Sequence, residues 1–257
     1  MNVYSVMYHD VVDNSDWDSS GFPGEGAAVY KLERTEFNRH LDSVKAAGVR
    51  VSRAGDPLVD GSAMLTFDDG GVSAHSAAAE MLEHHGWVGH FFVTTDRIGT
   101  AGFLSANQIK DLRRRGHVIG SHSCSHPTRM AQCTRKELER EWNDSVQVLE
   151  DILGESVTVA SVPGGYYSQA VGETAAQAGI RVLFNSEPTA GVSQVGECLL
   201  LGRYFVQRGM PPTISGAFAA GRLGPRWKQA ALWQLKKVAK AAGGGAYLRL
   251  RERLLKS

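Results

Sequence analysis

The sequence predicts an α/β fold built on parallel strands, and three observations carry that reading. Short apolar, β-rich runs recur along the chain, at residues 3–7, 63–67 (AMLTF), 89–93 (GHFFV), 117–120 (HVIG), 157–162 (VTVASV), 181–184 (RVLF) and 199–206. Stretches of helical periodicity lie between them. The ionisable residues that interrupt this pattern stand at the carboxyl ends of the strands, where barrels of parallel strands collect their chemistry.

The chain has 257 residues, enough to bury a sizeable core as one barrel or two smaller domains. At 42% hydrophobic and 21% charged it has the composition of a soluble globular protein, without an apolar run of about 18 residues that could span a bilayer. The opening MNVYSVMYHD lacks a basic region followed by a long apolar one, so no secretory signal is expected. Cys124, Cys133 and Cys198 are an odd, widely spaced set that suits a reducing cytoplasm. The formal net charge of +1 hides an asymmetry: residues 222–257 carry ten Lys or Arg against Glu252 alone, net +9, which leaves −8 on the first 221 residues.

Taken in order, the first run leads straight into Tyr8, His9 and Asp10. Residues 13–29 (DNSDWDSSGFPGEGAAV) have no periodicity and read as a long loop of the kind that often carries function. Thr35 is placed to cap EFNRHLDSVKAAG, whose Phe37, Leu41 and Val44 share one face and whose stop is Gly48. AMLTF ends in Asp68 and Asp69 followed by glycines, which permit a tight turn, and the two adjacent aspartates are not expected both to face the core. Ser105 opens NQIKDLRRRG, ended by Gly116. HVIG leads to His122 and His126, whose spacing of four brings two imidazoles onto one face of a helical turn, although Pro127 and the serines favour a short turn. Thr134 with Glu137 forms a capping box for a helix ending at Gly154.

Two histidines and one aspartate with open positions suit a catalytic Zn²⁺ or a related divalent ion. TFDDG, HSCSH and SVPGG, in that order, resemble the first three motifs of the polysaccharide deacetylase (NodB-homology) family, over roughly residues 3–206. The resemblance implies an irregular (β/α)7 barrel and metal-dependent removal of N-acetyl groups from amino sugars. It implies Asp68 as general base and Asp69, His122 and His126 as metal ligands. It also implies an oxyanion-binding N–H in the loop Pro163, Gly164, Gly165, and Tyr166 beside that loop is placed to stack on a sugar.

Two departures follow. Many relatives have an arginine two residues before the proline, where this chain has Ser161; Arg203 is the candidate substitute, with a surface ion pair as its other reading. The acid that protonates the leaving amine is a histidine late in most relatives, yet no histidine follows His126 here. His40, His84 and His85 fall on or beside helices, where a solvated imidazole is expected. His75 falls in a helix start, and His90 and His117 begin strands at the far end of the barrel. His9 alone follows a strand on the catalytic face, and MYHDVV resembles the N-terminal YHxV-like element of the poly-N-acetylglucosamine deacetylase branch. His9 is therefore expected to be the acid, and Asp10 either to fix its tautomer or to cap the next turn.

Residues 1–221 are read as the catalytic domain and 222–257 as a basic, amphipathic helical tail. Trp227, Ala231, Leu235 and Val238 mark one side of it; Arg226, Lys236, Lys237 and Lys240 lie mostly opposite. Such a tail is expected either to rest on an anionic membrane surface or to pack on the barrel with its lysines solvated. The activity expected is N-deacetylation of an acetylated sugar in the cytoplasm, with carbohydrate as partner and no nucleic acid, since the tail lacks a recognisable nucleic-acid motif and the body is acidic. Hydrolysis of a non-sugar amide and a catalytically silent glycan- or membrane-binding role are the alternatives.

Overall fold

The computed structural model describes residues 1–235. Eleven strands are found among them: β1 Tyr4–Tyr8, β2 Val11–Val12, β3 Leu32–Glu33, β4 Ala63–Phe67, β5 Gly89–Val93, β6 Val118–Ser121, β7 Val159–Ser161, β8 Val182–Phe184, β9 Ser193–Val195, β10 Cys198–Leu201 and β11 Arg203–Phe205. The helices are α1 Glu25–Ala28, α2 Arg34–Ala46, α3 Ala79–Glu83, α4 Ala106–Arg114, α5 Arg135–Leu153, α6 Gln169–Gln177 and α7 Thr213–Ala219, with α8 described over 223–235.

The main sheet runs β11-β1-β4-β5-β6-β7-β8-β10-β9, parallel throughout except where β9 joins β10. β10 and β11 are two halves of one segment bent at Gly202. The first half pairs Leu200 with Leu183 of β8, and the second pairs Arg203 with Ser5 of β1. That single bent segment closes β1, β4, β5, β6, β7, β8 and β10/β11 into a seven-stranded barrel. Glycine is needed at the bend because a Cβ there would lie 2.3 Å from the carbonyl oxygen of Glu187.

Strands β4 and β5 are buried at every position, as parallel strands covered on both faces should be. Ser105 and Gln108, and Thr134 and Glu137, form reciprocal capping boxes, and Gly154 ends α5 in the left-handed region. α2 departs from expectation: it begins at Arg34 behind Glu33, with no side-chain cap from Thr35, while Phe37, Leu41 and Val44 are buried as its spacing implies. His40, on the same helix, is not solvated. It is fully buried, with Nδ1 2.8 Å from the Ser215 hydroxyl, and burial lowers its pKa to about 4. His90 is also buried; Nδ1–H donates to Leu65 O and Nε2 accepts from Ala54 N–H, which fixes a neutral tautomer. Neither imidazole is available for proton transfer at the carboxyl ends of the strands.

The antiparallel β9 and the short β2–β3 pair were not legible as separate strands. Tail residues Lys236, Lys237, Val238 and Lys240 lie outside the described residues. Within them, α8 packs through Arg226, Gln229 and Trp233, whereas Trp227 and Leu235 are exposed, at 71% and 67%. Of the side expected to be charged, the described Arg226 faces the barrel.

Candidate active site

β4 ends at Phe67 and delivers Asp68 and Asp69 into the mouth of the barrel. Both are buried there. Asp69 takes a positive φ of 76°, which re-aims its carboxylate relative to that of Asp68. His122 and His126 follow β6, and no helix joins them. The chain turns instead through left-handed Ser123 (φ 63°) and His126 (φ 60°). Three of the five non-glycine residues with positive φ among the described residues thus lie in these two loops, and backbone strain of this kind clusters at functional sites.

Asp69 Oδ1 lies 3.4 Å from His122 Nε2 and 3.5 Å from His126 Nε2. One ligand atom from each of the three residues falls within 4.8 Å of the others. Those separations are long for a hydrogen bond. They are close to the roughly 3.3 Å between neighbouring donors around a tetrahedral ion with bonds of about 2.0–2.1 Å. His122 Nδ1–H donates to Ser161, at 2.5 Å from Oγ and 3.1 Å from the carbonyl oxygen, so Nε2 presents its lone pair toward Asp69. The donor set and its bracing fit a divalent cation held by Asp69, His122 and His126.

Asp68 is built differently. Arg203, fully buried on β11, donates from Nη1 to Oδ1 at 2.6 Å and from Nη2 to Oδ2 at 2.8 Å, while its Nε donates to Asn185 O at 3.0 Å. Ser161 Oγ donates to Asp68 Oδ1 at 3.1 Å. Burial would raise the pKa of Asp68, but the charge of Arg203, then the neighbouring His122 and the Arg203 hydrogen bonds, hold it below the usual carboxylate range. Three of about four lone-pair positions on this carboxylate are occupied. The free one belongs to Oδ2, the oxygen 3.9 Å from His122 Nε2 and so turned toward the candidate metal centre.

His9, just past β1, lies close enough for its charge to act on both aspartates; its ring packs on Tyr30 at 4.8 Å between centroids. Its Nδ1 is buried and meets no hydrogen-bond partner among the described residues. Asp10 does not serve it. Asp10 Oδ1 accepts from the hydroxyls of Ser20 (2.6 Å) and Ser73 (2.8 Å), so it ties the 13–24 loop to the barrel rather than fixing the His9 tautomer. Buried Lys31 anchors the same loop through the carbonyls of Trp17, Ser20 (2.6 Å) and Phe22 (2.7 Å), and Phe22 packs against the His126 ring at 4.9 Å. Sequence reasoning missed Lys31 and Phe22, because a lone Lys and Phe beside an irregular loop carry no pattern.

Pro163, Gly164 and Gly165 form one tight turn after β7, with φ of 61° at Gly164 and 69° at Gly165. Tyr166 follows it, half-buried. The turn begins two residues after Ser161, whose hydroxyl bonds both Asp68 and His122.

Residues 56–183 match the family model described as polysaccharide deacetylase. A Bacillus subtilis (strain 168) protein named as polysaccharide deacetylase YxkH is 26% identical over 155 residues, covering 60% of this chain and 55% of that one. The match thus spans about half the length of that relative. Among solved structures, the Streptococcus pyogenes deacetylase PplD in complex with acetate superposes with a TM-score of 0.68 at 20% identity, over 82% of this chain and 95% of that one. IcaB from Ammonifex degensii gives 0.68 at 22%, over 85% and 97%. At those identities the structural likeness establishes the fold.

Proposed function

Because the chain belongs to the polysaccharide deacetylase family, we propose that it is a metal-dependent hydrolase that removes the N-acetyl group from an acetylated amino sugar and releases acetate. The observation that carries this reading is the juxtaposition of the Asp69–His122–His126 group with an Asp68 carboxylate clamped by Arg203. A divalent cation, Zn²⁺ first among them for a His₂Asp donor set, would supply Lewis acidity at the amide carbonyl and make a water more acidic.

The protein's own groups perform the proton movements. Asp68 Oδ2 takes the proton of the attacking water through its one free lone-pair position, and Arg203 and Ser161 prevent the carboxylate from rotating away. A backbone N–H in the Pro163–Gly165 turn stabilises the negative charge that develops on the carbonyl oxygen. His9 donates a proton to the departing amine, and Tyr30 fixes its ring. Arg203 takes the part of the arginine for which this chain has Ser161, reaching the same aspartate from a different strand. Tyr166 stacks on the sugar.

The test is acetate release from a panel of N-acetylated sugars, with non-sugar amides as controls, using metal-loaded protein. Turnover of the sugars and not the amides is expected. His9→Ala should lower kcat by about 10²–10⁴ with metal content unchanged. An unaltered rate would remove His9 from the acid's role, and turnover of the amides alone would replace the sugar reading.

A second reading concerns location. No described helix is long and apolar enough to cross a membrane. Four of the six exposed large apolar residues among the described ones, Leu223, Trp227, Leu232 and Leu235, nevertheless lie on α8, within the segment of charge +9. We infer that this helix meets an anionic lipid surface. Full-length protein should co-sediment with phosphatidylglycerol vesicles but not phosphatidylcholine vesicles, and Leu223→Ser/Trp227→Ser should lower the bound fraction several-fold. Undiminished binding by that variant, or pelleting without vesicles through self-association, would defeat the inference.

A further inference from the structure

We propose that α8 is part of the catalytic unit, a strap in which Gln229 fixes the strand carrying Arg203 and Trp233 fixes the Pro163–Gly165 turn. This proposal rests on the function read above. It moves the boundary of the catalytic unit past residue 221, where composition alone places it.

The strap has three contacts on one helical face, at positions 226, 229 and 233. At its start the Arg226 guanidinium lies 4.9 Å from the centre of the Tyr4 ring. It donates from Nε to the Tyr204 hydroxyl at 2.7 Å and from Nη1 to Gly221 O at 3.0 Å. One turn on, the buried Gln229 amide pairs with the backbone of Phe205. It accepts from Phe205 N–H at 3.1 Å and donates to Phe205 O at 2.9 Å, as a neighbouring strand would. Phe205 stands two residues after Arg203 on a strand only three residues long, so this pairing fixes the edge from which the Asp68 clamp projects. One turn further, Trp233 reaches the turn after β7: a Cβ built on Gly165 would lie 2.9 Å from Trp233 Cη2 and 2.9 Å from Ser186 Cβ.

The helix advances about 10 Å between Arg226 and Trp233, about the rise of three strand residues. Its contacts run along the barrel wall, from Tyr4 at the start of β1 to the turn after β7. The turn it reaches needs external support. Two successive glycines with positive φ have several backbone conformations of similar energy, and the N–H assigned to the oxyanion must point in one direction. Ser186 and the Trp233 ring together cover the side of Gly165 on which a Cβ would stand.

The experiment compares wild type, Trp233→Ala, Trp233→Phe and Gln229→Ala, all full-length and metal-loaded, by steady-state kinetics and by peptide-resolved hydrogen exchange of residues 162–168. Trp233→Ala should lower kcat about tenfold with KM within a factor of three, retain its metal, and raise exchange in 162–168 but not in α5. Trp233→Phe should recover most of the lost kcat, since the indole Nε1 donates to no protein acceptor among the described residues and the contact with Gly165 is made by the ring. If alanine at 233 does not fold, Trp233→Leu is judged by the same criteria. Wild-type kcat with unchanged exchange in 162–168 would overturn the proposal, as would a rate loss that only tracks the unfolded fraction. Should wild type release acetate from no sugar, the functional reading fails by itself. The exchange data then decide the strap: a rise confined to 162–168 supports it and no rise refutes it.

Discussion

Replacing Arg203 with alanine is expected to destabilise the fold by about 3–5 kcal/mol and to cut kcat by at least a hundredfold. The stability loss follows from burial. Arg203 is fully enclosed and bonded to both oxygens of an equally enclosed Asp68, so its removal leaves a carboxylate without its compensating charge. It also strands the Asn185 carbonyl that accepts from Nε. The loss of rate has a separate origin, because Asp68 released from two of its hydrogen bonds no longer keeps its free lone pair aimed at the site. Lysine should repair little: a point charge on a flexible stem cannot satisfy two oxygens and a carbonyl at once. Asp68→Asn removes the charge that Arg203 compensates, so Arg203→Ala should cost markedly less in that background. Urea unfolding of the four proteins measures the coupling, with at least 2 kcal/mol expected. Strict additivity would show that the pair contributes no mutual stabilisation and that Arg203 acts on Asp68 weakly or not at all.

Much of this architecture is written locally. Apolar runs such as AMLTF and GHFFV, and the capping boxes at Ser105 and Thr134, depend on neighbours within a few residues, and the structure reproduces them within one or two positions. The Asp68–Arg203 pair lies beyond such signals, because its partners are 135 residues apart and meet only when the segment bent at Gly202 closes the barrel. In the sequence Arg203 is one arginine near a strand end, and an exposed ion pair fits it equally well. His122 and His126 illustrate a different limit. Their spacing suggests a helical turn, whereas the two imidazoles are brought together by left-handed backbone at Ser123 and His126 that a pattern of types does not specify. That α8 packs on the barrel was one of its two expected fates; the face it uses was not legible, because hydrophobic periodicity finds an apolar face, while this helix binds the barrel through a guanidinium over aromatic rings and an amide on a strand backbone. The face that the periodicity identified is the one left in solvent.

Asp69→Asn is expected to abolish metal binding while leaving the barrel intact, and the reason both outcomes should occur together is conformational. Position 69 has φ of 76°, which costs most side chains energy but is tolerated by Asn and Asp. The substitution therefore keeps the turn and the side chain's shape and removes only the anionic donor. Asp69 is held well below the ordinary carboxylate range: burial opposes ionisation, but the neighbouring His122 and His126 imidazoles outweigh it, with His9 adding to them. A neutral amide in its place is a poor ligand and leaves two imidazoles with no charge to offset a divalent cation. Elemental analysis should find about one equivalent of Zn²⁺ or a similar ion in wild type and less than a tenth of that in the variant. Acetate release should fall at least a thousandfold, in line with losing the Lewis acid. Stability separates a lost ligand from a damaged fold. Free Zn²⁺ at a hundred times its Kd should stabilise wild type by about 2.7 kcal/mol and leave Asp69→Asn unmoved, with the metal-free proteins unfolding at nearly the same urea concentration. A variant that still binds one equivalent and still gains stability from added metal would place the cation elsewhere, and the Asp69–His122–His126 cluster would then be a buried ionic contact rather than a metal centre.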